Sequence, residues 1–284
     1  MMNITLLQTD IHWRNLSANC EEAVRLMTEA PDSDLYVLPE MWASGFEMQP
    51  DEALAEESRL ALAWMYEQAV LRQCAVAGSL PWRIEGVGEQ AGQGEVHVHV
   101  LLHSANPLAN RAAASLTAKG GGKEWRNRFF FVMPDGQYAA YDKCNLFAYG
   151  GETAVYTAGT SPAEVLWRGV RFRLQVCFDL RFPESARNQV SAPYDVLLYV
   201  ANWPTSRRVA WDALLRARAI ENQCYVVGVN RTGSETALSY NGGSAVVDAY
   251  GRIWKQLGEL PQAYSFSPDL EELKRFRKKF PVLR

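Results

Sequence analysis

The sequence has few of the residues from which metal sites and disulfide frameworks are built. Among its 284 residues there are four histidines and five cysteines. The cysteines stand at positions 20, 74, 144, 177 and 224, so they are odd in number, widely spaced and without a CxxC pair. This usage is typical of a reduced, cytoplasmic protein that has neither a disulfide framework nor a zinc site.

Long apolar runs and a strong charge of one sign are also missing. No apolar run approaches the roughly 20 residues of a membrane-spanning helix. We expect no secretory signal, because no basic segment leads into a long apolar core near the N-terminus. The formal net charge is only −3. We therefore expect neither a membrane nor a nucleic acid as a partner.

Apolar runs of strand length alternate with helical patterns along most of the chain, whose 48% hydrophobic and 21% charged residues are ordinary for a globular protein. Helices are predicted at 17–30, 51–73, 206–223 and 268–276, and the main strands at 3–9, 35–38, 74–80, 127–133, 172–176, 195–201 and 225–229. Hairpins are predicted across Pro134-Asp135-Gly136 and across Tyr250-Gly251. Since no linker interrupts this pattern, we expect one α/β domain over residues 1–284, a layered sandwich with mixed sheets.

Residues 81–123 depart from the pattern and are predicted to be an insertion. Glycines stand at 86, 88, 92, 94 and 120–122. His97, His99 and His103 also lie here, and two of them would share one face of a strand. Because no acid or cysteine stands at ligand spacing, an exposed hairpin or loop is favoured over a metal site, and no metal is predicted.

The stretch 174–184, Leu-Gln-Val-Cys-Phe-Asp-Leu-Arg-Phe-Pro-Glu, carries the strongest functional signal. It begins as a buried strand that ends at Cys177, and Pro183 suits the first turn of a helix. A thiol between a strand and a helix N-terminus is in a setting that can favour the thiolate. The alternative is that Cys177 is one more buried cysteine, since free cysteine is among the most buried residue types.

Two further polar residues stand at equivalent places. Glu40 follows the predicted strand 35–38, and Lys143 follows the strand that ends at Tyr141. Ligands gather at the carboxyl ends of strands in open α/β sheets. Taken singly, each residue is more often a solvated carboxylate or a surface lysine. A cysteine nucleophile needs a base, and three of the four histidines fall in the insertion, so we expect that base to be a carboxylate.

Three segments together resemble the signatures of the nitrilase, or carbon–nitrogen hydrolase, superfamily: Leu38-Pro39-Glu40-Met41, Tyr141-Asp142-Lys143 and Val176–Glu184. The resemblance runs nearly end to end, and its details are most like the omega-amidase branch, which acts on 2-oxoglutaramate and 2-oxosuccinamate. Further agreement lies at residues 127–128, 134–136, 199–204, 217–223 and 230–231. The main departure is the segment 81–123, which is normally a short connection in this family.

The resemblance implies a four-layer αββα sandwich that assembles as a homodimer or a larger homo-oligomer. It also implies a catalytic triad of Glu40, Lys143 and Cys177, with Glu152 as a fourth member. The expected reaction is hydrolysis of a small-molecule amide to an acid and ammonia through a thioester. Glu40 would be the base, and Lys143 and the backbone N–H of Phe178 would stabilise the oxyanion. No metal or organic cofactor is required.

A substrate of the omega-amidase branch carries a carboxylate at its far end. Arg181 is one candidate to bind this group, and Arg207 and Arg208 are others, although each could equally form a structural ion pair. The aromatic residues Trp42, Phe46 and Trp203 are candidates for the walls of a small pocket, with the hydrophobic core as the alternative place for each.

Other functions remain open on the sequence alone. One is a related hydrolase, such as an N-carbamoyl amine or deaminated-glutathione amidase. Another is a catalytically silent binding protein on the same fold, against which the intact Glu40, Lys143 and Cys177 argue. A third is a thiol redox sensor, for which Cys144 is the one resolving cysteine that the sequence suggests as a partner of Cys177.

Overall fold

Four helices and fifteen strands make up the described part of the chain, which covers residues 2–84, 93–95, 124–235 and 237–284 in this computed structural model. The helices are α1 (Leu16–Glu29), α2 (Glu52–Arg72), α3 (Arg208–Asn222) and α4 (Leu270–Lys279). The strands are β1 (Ile4–Gln8), β2 (Leu35–Val37), β3 (Ala75–Ile84), β4 (Gln93–Glu95), β5 (Glu124–Val132), β6 (Gln137–Asp142), β7 (Ala163–Trp167), β8 (Val170–Val176), β9 (Val196–Ala201), β10 (Tyr225–Asn230), β11 (Thr232–Ser234), β12 (Ser239–Asn241), β13 (Ala245–Val247), β14 (Ile253–Gln256) and β15 (Gln262–Phe266).

Two mixed sheets form the centre of the protein. The first has the strand order β15-β1-β2-β3-β5-β6-β4, and the second has the order β14-β13-β10-β9-β8-β7. In the first sheet β1, β2 and β3 are parallel, whereas β5 and β6 form an antiparallel hairpin. In the second, β8, β9 and β10 are parallel and β13 and β14 are antiparallel. Among the parallel strands, β2, β9 and β10 are fully buried and almost wholly apolar because both of their faces are covered.

The helices cover the outer faces of the two sheets. Leu26 of α1 and Met65 of α2 pack against the first sheet in one apolar cluster. A second cluster joins the inner faces of both sheets, where Phe131 of β5 meets Phe172 of β8 at 5.5 Å between ring centroids, and continues to Trp211 of α3. The layers therefore run helix, sheet, sheet, helix, and the predicted four-layer αββα sandwich is confirmed.

Local capping explains where the long helix α2 begins and ends. The Asp51 carboxylate accepts the Leu54 N–H at 2.8 Å, which satisfies a free donor of the first turn. At the other end Gln73 adopts a left-handed conformation with φ of 52°. None of the helices in the part of the chain described here has the length and apolarity needed to cross a lipid bilayer.

Several predicted elements differ from the structure. The chain after Cys177 does not form an α-helix but two short 3₁₀ turns, Cys177–Arg181 and Pro183–Ala186. Strand β3 does not end at Leu80 but continues to Ile84 and pairs there with Glu124 of β5. The sequence pattern also misses β7, β11 and β12, which are short and partly exposed. Most of the predicted insertion at 81–123, including the three histidines, lies outside the described residues.

Candidate active site

The ends of strands from both sheets bring the predicted catalytic residues together. Glu40 follows β2 and Lys143 follows β6 in the first sheet, whereas Cys177 follows β8 in the second. Glu152 begins a short 3₁₀ turn, Glu152–Ala154, in the loop beyond Lys143. The side chains of Glu40, Lys143 and Glu152 are completely buried, and Cys177 is 9% exposed. The four residues that were predicted from scattered places in the chain thus form one cluster.

Lys143 lies between the two carboxylates. Its Nζ atom is 2.9 Å from Glu40 Oε1 and 3.0 and 2.9 Å from the two carboxylate oxygens of Glu152. Burial opposes the charged ammonium, but the negative charges of Glu152 and Glu40 outweigh it and hold the pKa of Lys143 well above its usual value. Lys143 is therefore a fixed cation at the centre of the site.

Glu40 uses both carboxylate oxygens. Oε1 accepts hydrogen bonds from Lys143 and from Asn127 Nδ2, the latter at 2.8 Å, and Oε2 accepts the backbone N–H of Asn202 at 2.8 Å. The Asn202 side chain also donates to the Glu40 backbone carbonyl at 2.8 Å. The carboxylate contacts the thiol of Cys177 as well. A fixed carboxylate within hydrogen-bonding reach of a thiol has the geometry of a general base.

Glu152 is held from its own loop and from β5. Its Oε2 accepts the Phe147 backbone N–H at 2.5 Å, and its Oε1 accepts Asn127 Nδ2 at 3.0 Å. The loop after Glu152 comes back to Lys143 at Gly159, whose backbone N–H donates to the backbone carbonyl of Lys143 at 2.9 Å. A Cβ at Gly159 would lie 2.1 Å from the Asp142 carbonyl oxygen, so only glycine allows this approach.

Cys177 has a left-handed backbone, with φ of 45°, at the point where β8 turns into a 3₁₀ turn. A turn of this kind can favour the thiolate, but the surroundings of Cys177 favour the protonated thiol instead. Burial raises the pKa of the Cys177 thiol well above its usual value, and the charge of Glu40 raises it further, while Lys143 opposes the shift only in part. The resting thiol therefore keeps its proton.

Asp179 fixes the turn that presents Cys177. This buried carboxylate accepts the Val176 N–H at 2.9 Å, the Tyr141 hydroxyl at 2.9 Å, and both the backbone N–H and the side chain of Asn145 at 2.8 Å. Burial raises the pKa of Asp179, and these hydrogen bonds oppose the shift. The contacts join the nucleophile turn to the segment that follows Lys143.

Aromatic rings surround the nucleophile turn. The Phe178 ring lies 5.1 Å from the Phe147 ring and 5.3 Å from the Phe182 ring. Phe46 lies 5.6 Å from Lys143 Nζ, so its ring faces the central cation. Trp203 is buried and donates its indole N–H to the Arg207 carbonyl at 2.8 Å.

Trp42, a candidate for a pocket wall, lies in the hydrophobic core instead. It is 1% exposed and packs against Trp64 of α2, with 4.9 Å between ring centroids, in the cluster between helices and first sheet. The apolar alternative therefore describes Trp42.

Cys144, the cysteine proposed for a redox pair, points its sulfur at the carbonyl oxygens of Asp142 and Ser161, at 3.6 and 3.9 Å.

Two of the three candidate arginines differ from the third in their partners. Arg181 lies over the Trp203 ring at 5.1 Å and the Phe178 ring at 5.9 Å. Arg207 lies over the Phe147 ring at 4.9 Å. No carboxylate within the described ranges forms an ion pair with either of these two guanidinium groups. Arg208, in contrast, is paired with Asp212 at 2.8 Å.

Three residues with clear roles in this geometry were not predicted, namely Asn127, Asn202 and Asp179. All three lie in segments that contributed to the family resemblance, so position alone could have marked them as candidates. The residue type alone does not distinguish a buried hydrogen-bonding asparagine or aspartate from one in a turn. The contacts of Asn127 and Asn202 with the two carboxylates, and those of Asp179 with Tyr141 and Asn145, depend on tertiary structure.

Comparison with known proteins agrees with this geometry. The sequence profile described as carbon-nitrogen hydrolase matches residues 3–268. The chain is 36% identical to a protein of Yersinia enterocolitica named omega-amidase YafV, over 99% of this chain and 95% of that relative. It is 29% identical to the 2-oxoglutaramate amidase of Bacillus subtilis (strain 168), over 98% of this chain and 95% of that relative.

A solved structure gives the same result. XC1258 from Xanthomonas campestris, described as a CN-hydrolase superfamily protein with an arsenic adduct in the active site, superposes with a TM-score of 0.79 and 32% identity. The match covers 99% of this chain and 95% of that one. Together with the family profile and the relatives of similar length, this shows that the chain belongs to the carbon–nitrogen hydrolase family.

Proposed function

We propose that this protein is an omega-amidase, which hydrolyses the terminal amide of a small 2-oxo dicarboxylic acid monoamide to the acid and ammonia. The observation that carries the proposal is the buried Lys143 between Glu40 and Glu152, with the Cys177 thiol against Glu40. The names of the relatives in Yersinia enterocolitica and Bacillus subtilis support this substrate class. Cys177, Glu40, Lys143 and Glu152 are the proposed catalytic residues.

The first half of the reaction forms a thioester. Glu40 takes the thiol proton as Cys177 Sγ attacks the amide carbon, and the carbonyl oxygen becomes an oxyanion. The ammonium of Lys143 has three N–H groups. One N–H can be shared by the two oxygens of Glu152 and one binds Glu40, so a third remains for the oxyanion, together with the Phe178 backbone N–H. Protonated Glu40 then gives its proton to the amide nitrogen, the C–N bond breaks, and ammonia leaves.

The second half releases the acid. Glu40, again a carboxylate, takes a proton from a water molecule as the water oxygen attacks the thioester carbon. The C–S bond breaks, and the proton on Glu40 returns to the sulfur of Cys177. Glu152 keeps Lys143 in place throughout, because it binds the ammonium through both oxygens. Each proton is thus shuttled by one group, which needs no metal or organic cofactor.

The charges of the rim support a substrate that carries a carboxylate. The two carboxylates of Glu40 and Glu152 carry one more negative charge than the ammonium of Lys143 neutralises, so the buried cluster by itself repels an anion. Arg181 and Arg207 stack on rings that adjoin the Cys177 turn, and they supply positive charge at its rim. We propose that these two residues bind the substrate carboxylate, with Phe46 and Trp203 as apolar walls.

The test is ammonia release from 2-oxoglutaramate, beside glutamine, an N-carbamoyl amine and a simple nitrile, for the wild type and for Cys177→Ala. Turnover of the oxo-amide that depends on Cys177 and exceeds the other substrates supports the proposal. Faster turnover of the N-carbamoyl amine would assign the same chemistry to a different substrate. A folded protein that turns over none of them would favour a silent binding protein.

The rim arginines can be tested one at a time. Arg207→Gln and Arg181→Gln are expected to raise KM for 2-oxoglutaramate by about 10- to 100-fold each, since a hydrogen bond to a charged group contributes about 1.5–3 kcal/mol. Arg208→Gln is the matched control, because Arg208 is already paired with Asp212. Steady-state kinetics with 2-oxoglutaramate and with an uncharged aliphatic amide give the measurement. An equal loss for both substrates would contradict carboxylate binding.

We further propose that the protein works in the cytoplasm as a homodimer or larger homo-oligomer and that residues 1–284 form one domain. All five cysteines are free, which suits a reducing compartment. Val209 and Ile220 of α3 are 85% and 50% exposed, so this helix presents apolar side chains that a second copy could cover. Light scattering coupled to size-exclusion chromatography measures the mass in solution, and a monomer of 31.9 kDa would refute the assembly.

A further inference from the structure

Asn127 is the only neutral side chain among the described residues that donates to both catalytic carboxylates. It lies in β5, is 1% exposed, and donates one N–H to Glu40 Oε1 at 2.8 Å and the other to Glu152 Oε1 at 3.0 Å. We propose that Asn127 is a positioning residue that holds the carboxylates of Glu40 and Glu152 aligned on Lys143.

The four groups form a closed ring of hydrogen bonds. Glu40 Oε1 accepts from both Asn127 and Lys143, and Glu152 Oε1 accepts from the same two donors, at 2.8–3.0 Å throughout. Each carboxylate is thereby held by both side chains in addition to one backbone N–H, that of Asn202 for Glu40 and that of Phe147 for Glu152. The remaining oxygen of Glu40, Oε2, accepts the Asn202 N–H at 2.8 Å.

The need for a neutral donor follows from the charges. Two buried carboxylates that share one ammonium repel each other. A second cation would relieve the repulsion but would compete with Lys143 for Glu152 and Glu40. An amide contributes two strong donors to the anions, and it carries no charge and does not titrate. It therefore stabilises both anions at every pH.

The backbone and the side chain of Asn127 have separate roles. The backbone carbonyl of Asn127 accepts the backbone N–H of Lys143 at 3.0 Å, beside the last residue pair of the β5–β6 hairpin. A side-chain substitution leaves that contact in place, so it isolates the effect of the amide. The other titratable groups that face the carboxylates or Lys143 are Cys177, Asp179, Tyr156 and Tyr240. They are the same in wild type and variant.

The test uses Asn127→Leu, which keeps the approximate volume and removes both donors. Iodoacetamide alkylation of Cys177 is measured against pH by mass spectrometry of the Cys177 peptide, which needs no substrate and is independent of the proposed amidase activity. Without the donors each carboxylate takes up a proton at higher pH, and a protonated Glu40 no longer accepts the thiol proton. The acid limb is the pH range in which the alkylation rate rises with pH. We expect it to shift to higher pH by about one unit or more.

The matched control is Asn188→Leu. Asn188 is also 1% exposed, and its side chain donates to the carbonyls of Tyr194 and Asn222, away from the catalytic cluster. It should lower thermal stability comparably and leave the acid limb in place. An unmoved limb in folded Asn127→Leu, or an equal movement in Asn188→Leu, would overturn the proposal.

If Asn127→Leu does not fold, Asn127→Asp carries the test with an isosteric side chain. It replaces the donor with a third carboxylate, so the acid limb should move up by more than in Asn127→Leu. A limb that coincides with that of the wild type in this variant would refute the positioning role. Where substrate turnover is available, the acid limb of kcat/KM should move in the same direction.

Discussion

Replacing Lys143 with methionine is expected to lower turnover by at least about 1000-fold and the free energy of unfolding by about 3–5 kcal/mol. Both losses come from the same geometry. The ammonium is the single cation in contact with Glu40 and Glu152 among the described residues, and all three side chains are fully buried. Without it, two carboxylates are left in a buried site with no neutralising charge, and the oxyanion loses its charged donor.

Urea denaturation and ammonia release measure the two effects separately. The double variant Lys143→Met/Glu152→Gln serves as the control, because it removes one of the stranded charges. It should recover part of the lost stability, since the remaining Glu40 is still bonded to Asn127 and Asn202, but it should recover no turnover. If Lys143→Met keeps the stability of the wild type, the ammonium does not neutralise the pair as described.

Replacing Glu40 with glutamine is expected to lower kcat by about 1000-fold, within the range found for general acid–base groups. The residual activity should depend steeply on pH. Burial raises the pKa of the Cys177 thiol well above its usual value, so with no base to take the proton only the small thiolate fraction reacts. That fraction grows about tenfold per pH unit below the thiol pKa, and the residual rate should follow it upward.

A pH series of kcat between neutral and alkaline conditions provides the measurement, with Cys177→Ala as the blank. The wild type should be nearly flat where Glu40→Gln rises, because the wild type transfers the proton within the site. A residual rate in Glu40→Gln that does not change with pH would mean that another group removes the thiol proton.

The proposed catalytic residues could be picked out in the sequence because chemistry restricts such residues to a few types in recognisable segments. Glu40, Lys143 and Cys177 each follow an apolar run, and such runs predict buried strands. The supporting residues could not be predicted in the same way. Asn127 sits within β5 and meets Glu40 only because β2 and β5 flank β3 in the first sheet, a neighbour relation that depends on strand order.

The predictions that the structure corrects, the helix after Cys177 and the place of Trp42, failed for a similar reason. The chain after Cys177 looks helical, since Pro183 suits a first turn, yet Asp179 binds the Val176 N–H and holds the segment in 3₁₀ turns instead. Trp42 stands two residues after Glu40 and was a candidate for a pocket wall. The loop folds back over β3, where the ring reaches Gly78 and the helix layer. In both cases long-range contacts outweigh the local pattern.

The division of the site between two sheets has a consequence for the folding of the chain. Glu40 and Lys143 belong to the first sheet and Cys177 to the second, so neither sheet alone contains both the nucleophile and its base. Contacts between residues so far apart in sequence form late, because chain closure costs entropy before they stabilise anything. During synthesis and refolding, the cysteine consequently lacks its proposed base, which it meets only when the two sheets dock. Completion of the fold is itself the step that activates the enzyme.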